Sequence, residues 1–170
     1  MNLLKILLEK IINKKNPVKF ARLLGVKVGD DCRFLGTSKK TFGSEPYLIS
    51  IGNHVTLTGD IRFITHDGGV WVLRDKYPAI DVFGKITIGN NVFIGLNSII
   101  MPNTTVGDNV VVGAGSIVRG NLESNSVYAG CPVKKIMTIA DYEEKVLNKC
   151  DSTKHLTKDE KKKYLIGKIS

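Results

Sequence analysis

The chain has 170 residues, of which 42% are hydrophobic, and it carries a formal net charge of +9. This length and composition predict a folded protein with one substantial core. Aromatic residues make up only 7% of the chain, whereas proteins that recognise nucleic acid usually add aromatic side chains or a groove-reading element to a basic surface. We therefore expect no nucleic acid as a partner, despite the positive charge.

The charge divides the chain into three regions. Residues 1–27 carry seven basic side chains and one acidic side chain, residues 28–131 carry eight and nine, and residues 132–170 carry ten and six. Their net charges are therefore +6, −1 and +4. We interpret residues 1–27 as an amphipathic helical cap, residues 28–131 as the folded centre, and residues 132–170 as a helical tail.

The N-terminal segment, MNLLKILLEKIINKK, has the pattern of an amphipathic helix, with Lys5, Glu9 and Asn13 opposite an apolar stripe. The stripe consists of Leu4, Leu7, Leu8, Ile11 and Ile12. Its charged residues argue against a signal peptide, and the segment is too short to span a bilayer. Two compatible interpretations stay open: a helix that covers the open end of the core, or a basic helix that rests on an anionic membrane surface.

The central region repeats every six residues, whereas a helix repeats near 3.6 residues and a half-buried strand near 2. The aliphatic series is Val82, Ile88, Ile94, Ile100, Val106, Val112 and Val118; Ile51, Leu57, Phe63 and, more weakly, Val28 and Phe34 have the same spacing earlier. A second series reads Val92, Ser98, Thr104, Val110, Ser116 and Leu122. Gly and Asn between the two series suit tight corners. The pattern predicts a three-sided parallel β-helix of about four or five coils, and a β-sandwich with coincidental spacing is the alternative.

The longest interruption of the repeat follows Phe63. The next aliphatic residue is due near residue 69, but the register returns only at Val82, which leaves a loop over residues 67–81. This loop is longer than a corner requires and follows His66, so it is a functional candidate. His54 stands in a corner where other repeats carry Asn, so turn formation explains it, and His155 lies in the tail.

The cysteines predict neither a disulfide framework nor a zinc site. Cys32, Cys131 and Cys150 are odd in number and widely spaced, and no Cys and His residues have zinc-ligand spacing. We therefore expect a reducing cytoplasmic setting and no metal. In the tail, residues 141–150 and 157–169 are predicted helices, and Thr157 with Glu160 forms a capping box at the second.

Three sequence features together are diagnostic: the hexads, FITHDGGVW at the mouth of the loop, and GAGSIVRGNLESNSVYAGCPVKKI at the end of the repeats. Over residues 26–137 the chain resembles the left-handed β-helix, hexapeptide-repeat acetyltransferases, and it is most similar to those that acetylate sugars and polysaccharides. The resemblance makes residues 28–131 a catalytic left-handed β-helix with the inserted loop 67–81. It implies a homotrimer that uses acetyl-coenzyme A, with each active site between neighbouring prisms.

The resemblance also assigns roles to residues. His66 stands where the family places its general base, and Asp67 is expected to orient the imidazole or to contact the acceptor. The pantetheine arm is expected at Gly95, Leu96, Gly113 and Ala114. Its phosphates are expected near Arg119, Lys134 and Lys135, although Arg119-Gly120 replaces the Thr-Lys pair that is common in the family. The candidate acceptor residues are Asp60, Asp67, Trp71, Arg74 and Tyr77, of which Trp71 offers a flat apolar face for a sugar ring.

The function that follows is acetyl-coenzyme A-dependent O-acetylation of a sugar in a capsule, O-antigen or exopolysaccharide precursor. The enzyme is expected in the cytoplasm, with peripheral membrane contact through its N-terminal helix. Alternatives are an antibiotic or small-sugar acceptor, and a non-catalytic scaffold. Carbonic anhydrases share this prism but need three histidines around a metal, and His155 lies outside the repeats.

Overall fold

A computed structural model describes residues 10–169 of the chain. The chain consists of two compact units, and the boundary between them lies between Ile139 and Ala140. Within the described residues, every β-strand belongs to the first unit. No helix of residues 10–169 is both long and apolar enough to cross a bilayer.

The described part of the first unit begins with helical residues 10–15, which are followed by helix α1 (Pro17–Leu24). The side chain of Asn16 caps α1 by accepting a hydrogen bond from Lys19 N at 2.8 Å, and Gly25 ends the helix with a φ of 106°, which favours glycine. Ala21 is fully buried in the main core cluster, so α1 packs against the core. The stripe residues Leu4, Leu7 and Leu8, with Lys5 and Glu9, lie outside the described residues.

Fourteen strands in residues 10–169 form three sheets. The first sheet contains β1 (Lys27–Val28), β3 (Ile49–Ile51), β6 (Ile86–Ile88), β9 (Thr104–Val106) and β12 (Asn121–Leu122). The second contains β2 (Arg33–Phe34), β4 (Val55–Leu57), β7 (Val92–Ile94), β10 (Val110–Val112), β13 (Ser126–Ala129) and β14 (Lys134–Thr138). The third contains β5 (Arg62–Phe63), β8 (Ile99–Ile100) and β11 (Ile117–Val118). All pairs are parallel except β13 with β14, so the chain visits the three sheets in turn and forms the predicted parallel β-helix.

The two six-residue series fill the inside of this helix. Every member is buried except Val28, which is partly buried, and Val82, whose side chain is 46% exposed. The prediction for Val82 is wrong, because the inserted loop ends there and the regular strands resume only at Ile86. The core is therefore a continuous stack of mostly aliphatic side chains, with neighbouring coils about 4.8 Å apart as strand spacing requires.

The corner between the first and second sheets carries a row of hydrogen-bonded side chains, which we call the amide ladder: His54, Asn91, Asn109 and Asn125. His54 Nδ1 lies 2.8 Å from Asn91 Oδ1, Asn91 Nδ2 donates to Asn109 Oδ1 at 2.8 Å, and Asn109 Nδ2 donates to Asn125 Oδ1 at 2.9 Å. All four residues have φ between 53° and 57°, a conformation that Asn tolerates better than most residues. Turn formation thus accounts for His54, as the sequence predicts.

The tail region is partly β-structure, because β14 precedes the helices and the boundary between units follows Ile139 rather than residue 131. Helices α2 (Ile139–Leu147) and α3 (Lys158–Ile169) follow. The predicted capping box of α3 is confirmed: Thr157 N donates to Glu160 Oε2 at 2.8 Å, and Glu160 N donates to Thr157 Oγ1 at 3.4 Å. Cys32, Cys131 and Cys150 are free thiols.

Candidate active site

The candidate site lies where two interruptions of the repeat meet. The first interruption, residues 35–48, contains short 3₁₀ turns at Lys39–Thr41 and Pro46–Leu48. The second, residues 64–84, contains the inserted loop. Phe42 from the first interruption is fully buried and stacks on Phe63 at the end of β5, with ring centroids 5.9 Å apart. This aromatic pair holds the two interruptions against each other.

Backbone hydrogen bonds close the base of the inserted loop and fix His66. Asp67 N donates to Val82 O at 2.9 Å, and Gly84 N donates to Thr65 O at 2.8 Å. His66 pairs with Phe83 in an isolated antiparallel bridge. A Cβ atom on Gly84 would lie 2.6 Å from the backbone nitrogen of Asn103, so only glycine lets the returning chain approach that corner.

The His66 imidazole is held by a carboxylate from the first interruption. His66 Nδ1 lies 3.0 Å from Glu45 Oε2, which also accepts a hydrogen bond from Thr65 Oγ1 at 2.6 Å. The bond from Thr65, and then the one from His66, lowers the pKa of Glu45 below its ordinary value. An ionised carboxylate only accepts hydrogen bonds, so Nδ1 must carry the hydrogen in this contact. In the neutral imidazole, Nε2 is then the nitrogen that is free to accept a proton.

Two roles are expected for Asp67, orienting the imidazole or contacting the acceptor, and in the structure Glu45 makes the contact with the imidazole. Asp67 Oδ1 instead accepts a hydrogen bond from Gly69 N at 2.8 Å and begins the 3₁₀ turn Gly68–Leu73. Glu45 is not among the residues that the sequence predicts for the site. One sequence signal points to it: Glu45 is the only acidic residue between Asp31 and Asp60.

A cleft of about 350 Å³ opens at His66. It is lined by His66, Asp67, Val82, Met101, Pro102, Asn103, Arg119 and Gly120. Arg119, which the resemblance assigns to coenzyme A, thus shares this cleft with His66. Of the predicted acceptor residues, only Asp67 lines the cleft.

The other predicted acceptor residues lie on a corner or within the loop. Asp60 has a φ of 55° and forms a corner between the second and third sheets. Arg74 is engaged within the loop, because one terminal nitrogen lies 2.6 Å from Asp81 Oδ1. The ring of Tyr77 lies under Lys76 Nζ, which is 5.3 Å from its centroid. The side chain of Trp71 is 73% exposed.

The residues predicted to bind pantetheine lie on the same corner as Asp60. Gly95 N and Gly113 N already donate to Val112 O and Tyr128 O, each at 2.8 Å. These amides are therefore engaged in holding the coils together. Leu96 and Ala114 are exposed corner residues, and no hydrogen bond from their backbone N–H groups is found within residues 10–169. Gly115, which follows Ala114, has open space where a side chain would be.

The two lysines predicted near the phosphates differ in their contacts. Lys135 Nζ lies 2.9 Å from Glu123 Oε2, and this hydrogen bond raises the pKa of Lys135. Lys134 begins β14, is exposed, and forms no ion pair with any residue of 10–169. Of these two lysines, Lys134 is thus the one whose ammonium group has no ionic partner among residues 10–169.

Comparison with known proteins identifies the family. The model for "Bacterial transferase hexapeptide (six repeats)" matches residues 85–120. Protein CapG of Staphylococcus aureus is 56% identical over 166 residues, which cover 98% of this chain and 96% of that protein. The chain belongs to the hexapeptide-repeat acetyltransferases.

Two solved structures of this family share the fold. The hexapeptide-repeat-containing acetyltransferase VCA0836 from Vibrio cholerae aligns with a TM-score of 0.60 and 19% identity, over 78% of this chain and 86% of that one. A maltose O-acetyltransferase from Clostridium difficile 630 aligns with a TM-score of 0.52 and 23% identity, over 77% and 82%. The fold is thus the left-handed parallel β-helix that the sequence predicts. Within residues 10–169, no three His, Cys, Asp or Glu side chains cluster as metal ligands.

Proposed function

We propose that this acetyltransferase uses acetyl-coenzyme A to acetylate a hydroxyl group of a sugar in the precursor of a capsule or another surface polysaccharide. The observation that carries the proposal is the Glu45–His66 contact at the mouth of the cleft. The high identity to CapG and the fold shared with a maltose O-acetyltransferase support a sugar as acceptor. A scaffold without catalytic function would not require a histidine fixed in this way.

His66 acts as the general base. Glu45 holds Nδ1, so Nε2 takes the proton of the acceptor hydroxyl as its oxygen attacks the acetyl carbonyl. The same nitrogen then returns the proton to the departing thiolate sulfur, which leaves the imidazole neutral. Acetyl-coenzyme A supplies the acetyl group as a reactive thioester. Glu45 keeps the imidazole in the tautomer that accepts at Nε2 and stabilises the imidazolium.

Leu96 and Ala114 bind the pantetheine arm through their backbone N–H groups. Arg119 or Lys134, both exposed and without an ion pair within residues 10–169, is expected to meet the nucleotide phosphates. Gly95 and Gly113 contribute by allowing the coils to approach: a Cβ atom on Gly95 would collide with the backbone nitrogen of Ala114. Asp67, on the cleft wall, is placed to contact the acceptor.

The protein works as a homotrimer in this proposal, with each site shared by two chains. His66 lies past the end of the third sheet, toward the first, whereas Leu96 and Ala114 lie between the second and the third. The third sheet separates these corners within one chain, so a neighbouring copy is needed to bring them together. The inserted loop supports this arrangement, because Trp71 and Val72 are 73% and 79% exposed and offer apolar surface for a neighbour. Asp60, Trp71, Arg74 and Tyr77 would then meet the acceptor in the assembled site.

The test is acetyl-coenzyme A turnover, followed by thiol release, with a panel of nucleotide sugars and oligosaccharides. We expect His66→Ala to lower kcat by about 10²–10⁴-fold, the usual contribution of a general base. His155→Ala is the matched control, since His155 lies in the second unit and outside the cleft. Equal turnover by wild type and His66→Ala would remove His66 as the base, and absence of coenzyme A binding would favour the scaffold instead.

A further inference from the structure

A second cleft, of about 420 Å³, lies on the outer face of the second sheet. We call it the outer groove. Its floor is formed by Arg33, Thr56, Phe93 and Val111, and its wall by the amide ladder. Strand pairing brings these floor residues into one row, because Arg33 pairs with Thr56, Thr56 with Phe93, and Phe93 with Val111. None of the residues that line this groove lines the His66 cleft.

The outward row of the third sheet, Arg62, Ile99 and Ile117, is also partly apolar, whereas the outer face of the first sheet is different. The corresponding outward row there is Ser50, Thr87, Thr105 and Asn121, which are all polar. In the second sheet the row contains Phe93, whose aromatic side chain is 40% exposed, followed by Val111. The β-helix therefore does not require apolar residues on an outer face. What distinguishes the second sheet is an aromatic side chain beside a polar wall, and the volume of the cleft lies within the roughly 300–1,000 Å³ of ligand sites.

The amide ladder keeps unused hydrogen-bonding capacity on the groove wall. Each Asn amide has two N–H donors and two acceptor lone pairs. Asn91 and Asn109 each use one N–H and accept one hydrogen bond within the ladder. Each therefore retains one N–H donor and one lone pair, side by side. A dry apolar surface packed over the groove would leave these groups unsatisfied, which is unfavourable, whereas hydroxyl groups both donate and accept.

A peptide strand is not a suitable ligand for this groove. Strand addition requires an exposed sheet edge, but β7, which carries Phe93, pairs with β4 on one side and β10 on the other. The groove must therefore recognise its ligand through side chains. Arg33 adds a positive charge at one end, and it forms no ion pair with any residue of 10–169.

We propose that the outer groove binds an oligosaccharide, with the flat face of a sugar ring on Phe93, hydroxyl groups on Asn91 and Asn109, and an acidic substituent at Arg33. A glycan bound there is held to the enzyme away from the His66 cleft. The groove is thus a second carbohydrate site that serves retention of the glycan and takes no part in the acetyl transfer step.

The test is NMR titration of the full-length, ¹⁵N-labelled protein with maltotetraose and with tetragalacturonate. We expect both to shift the side-chain amide signals of Asn91 and Asn109, and tetragalacturonate to bind more tightly because of Arg33. Phe93→Ser should weaken binding by about tenfold, which corresponds to about 1.4 kcal/mol, whereas Phe93→Tyr should preserve it. Thr87→Ala, on the outer face of the first sheet, is the matched control and should leave binding unchanged.

Several outcomes would overturn the proposal. These are no shift with either oligosaccharide, shifts confined to the His66 cleft, or undiminished binding by Phe93→Ser. Light scattering provides a further check: loss of oligomer mass in Phe93→Ser would make this face an interface between copies and would also overturn it. Acetyl transfer to a nucleotide sugar is expected to be unchanged in Phe93→Ser, so failure of this inference and failure of the acetyltransferase proposal are distinguishable.

Discussion

The regular coils of residues 85–120 and the two interruptions at residues 35–48 and 64–84 position their side chains by different means. In the regular coils, backbone hydrogen bonds from one coil to the next, such as Gly89 N to Val106 O at 2.8 Å, repeat every turn. In the interruptions, side chains from separate segments fix each other, as Glu45 fixes Thr65 and His66 across 20 and 21 residues. The repeat therefore provides a rigid frame, and the candidate chemistry arises where the repeat is broken.

The largest effect is expected from a methyl group placed between regular coils. A Cβ atom on Gly89 would lie 2.5 Å from Asp108 Oδ1 and 2.8 Å from the backbone carbon and oxygen of Gly107. The backbone cannot move aside without disturbing the next coil, so Gly89→Ala should lower the free energy of unfolding by about 3 kcal/mol, the upper part of the usual range for overpacking. Urea unfolding at a fixed protein concentration measures this change.

Gly68→Ala is the control from the interrupted region. No atom lies within 4 Å of a Cβ atom placed on Gly68, so the substitution should leave the stability nearly unchanged. If both variants lost equal stability, close approach of the coils would not be what distinguishes the regular region from the loop.

The next largest effect is expected on kcat, when the charge of Glu45 is removed from the contact between the two interruptions. Glu45→Gln retains the size of the side chain but removes the charge that pairs with His66. A hydrogen bond to a charged group contributes about 1.5–3 kcal/mol, so kcat should fall by about 10-fold to 100-fold. The KM for acetyl-coenzyme A should not change, since Glu45 contacts His66, the proposed base, and does not lie on the corner of Leu96 and Ala114 that is proposed to bind pantetheine. Steady-state kinetics measure kcat and KM separately. Glu143→Gln, at an exposed residue of α2, is the control.

The same variant changes the pH dependence of stability. The folded protein lowers the pKa of Glu45 from its ordinary value of 4.5, so the ionised carboxylate stabilises the fold above that value, and this stabilisation is lost as pH falls through the lowered pKa. The melting temperature of wild type should therefore exceed that of Glu45→Gln near neutral pH, and the difference should shrink in acid. A difference that did not depend on pH would contradict the assigned role of the charge.

The sequence predicts the regular coils almost residue by residue, because each inward position recurs every six residues and depends only on its neighbours in the repeat. Val82 is the exception, since it has the correct spacing but stands at the end of the loop. His66 is also found from sequence, because it opens the longest interruption. Glu45 is not predicted, because its contact with His66 depends on how two irregular segments fold against each other, and no periodicity encodes that. The placement of Arg119 in the His66 cleft is missed for a related reason, since motif alignment gives a position along the chain but not the direction of the side chain.

The smallest effect on stability is expected when His54 is replaced by asparagine, the residue that other coils carry at the same corner. His54 has a φ of 54°, close to the 53° of Asn91 and 55° of Asn109 on the same corner. Its Nδ1 must donate to Asn91 Oδ1, because an amide oxygen only accepts, and an asparagine Nδ2 can make the same bond. His54→Asn should therefore change the free energy of unfolding by less than about 0.5 kcal/mol, as for a neutral surface substitution. His54→Ala removes this hydrogen bond and leaves alanine at a positive φ, where it has no polar side chain to form local hydrogen bonds. It should therefore lower the free energy of unfolding by about 1–2 kcal/mol. Equal losses for the two variants in urea unfolding would show that His54 makes a contribution that asparagine cannot replace, and that this corner differs from those of the other coils.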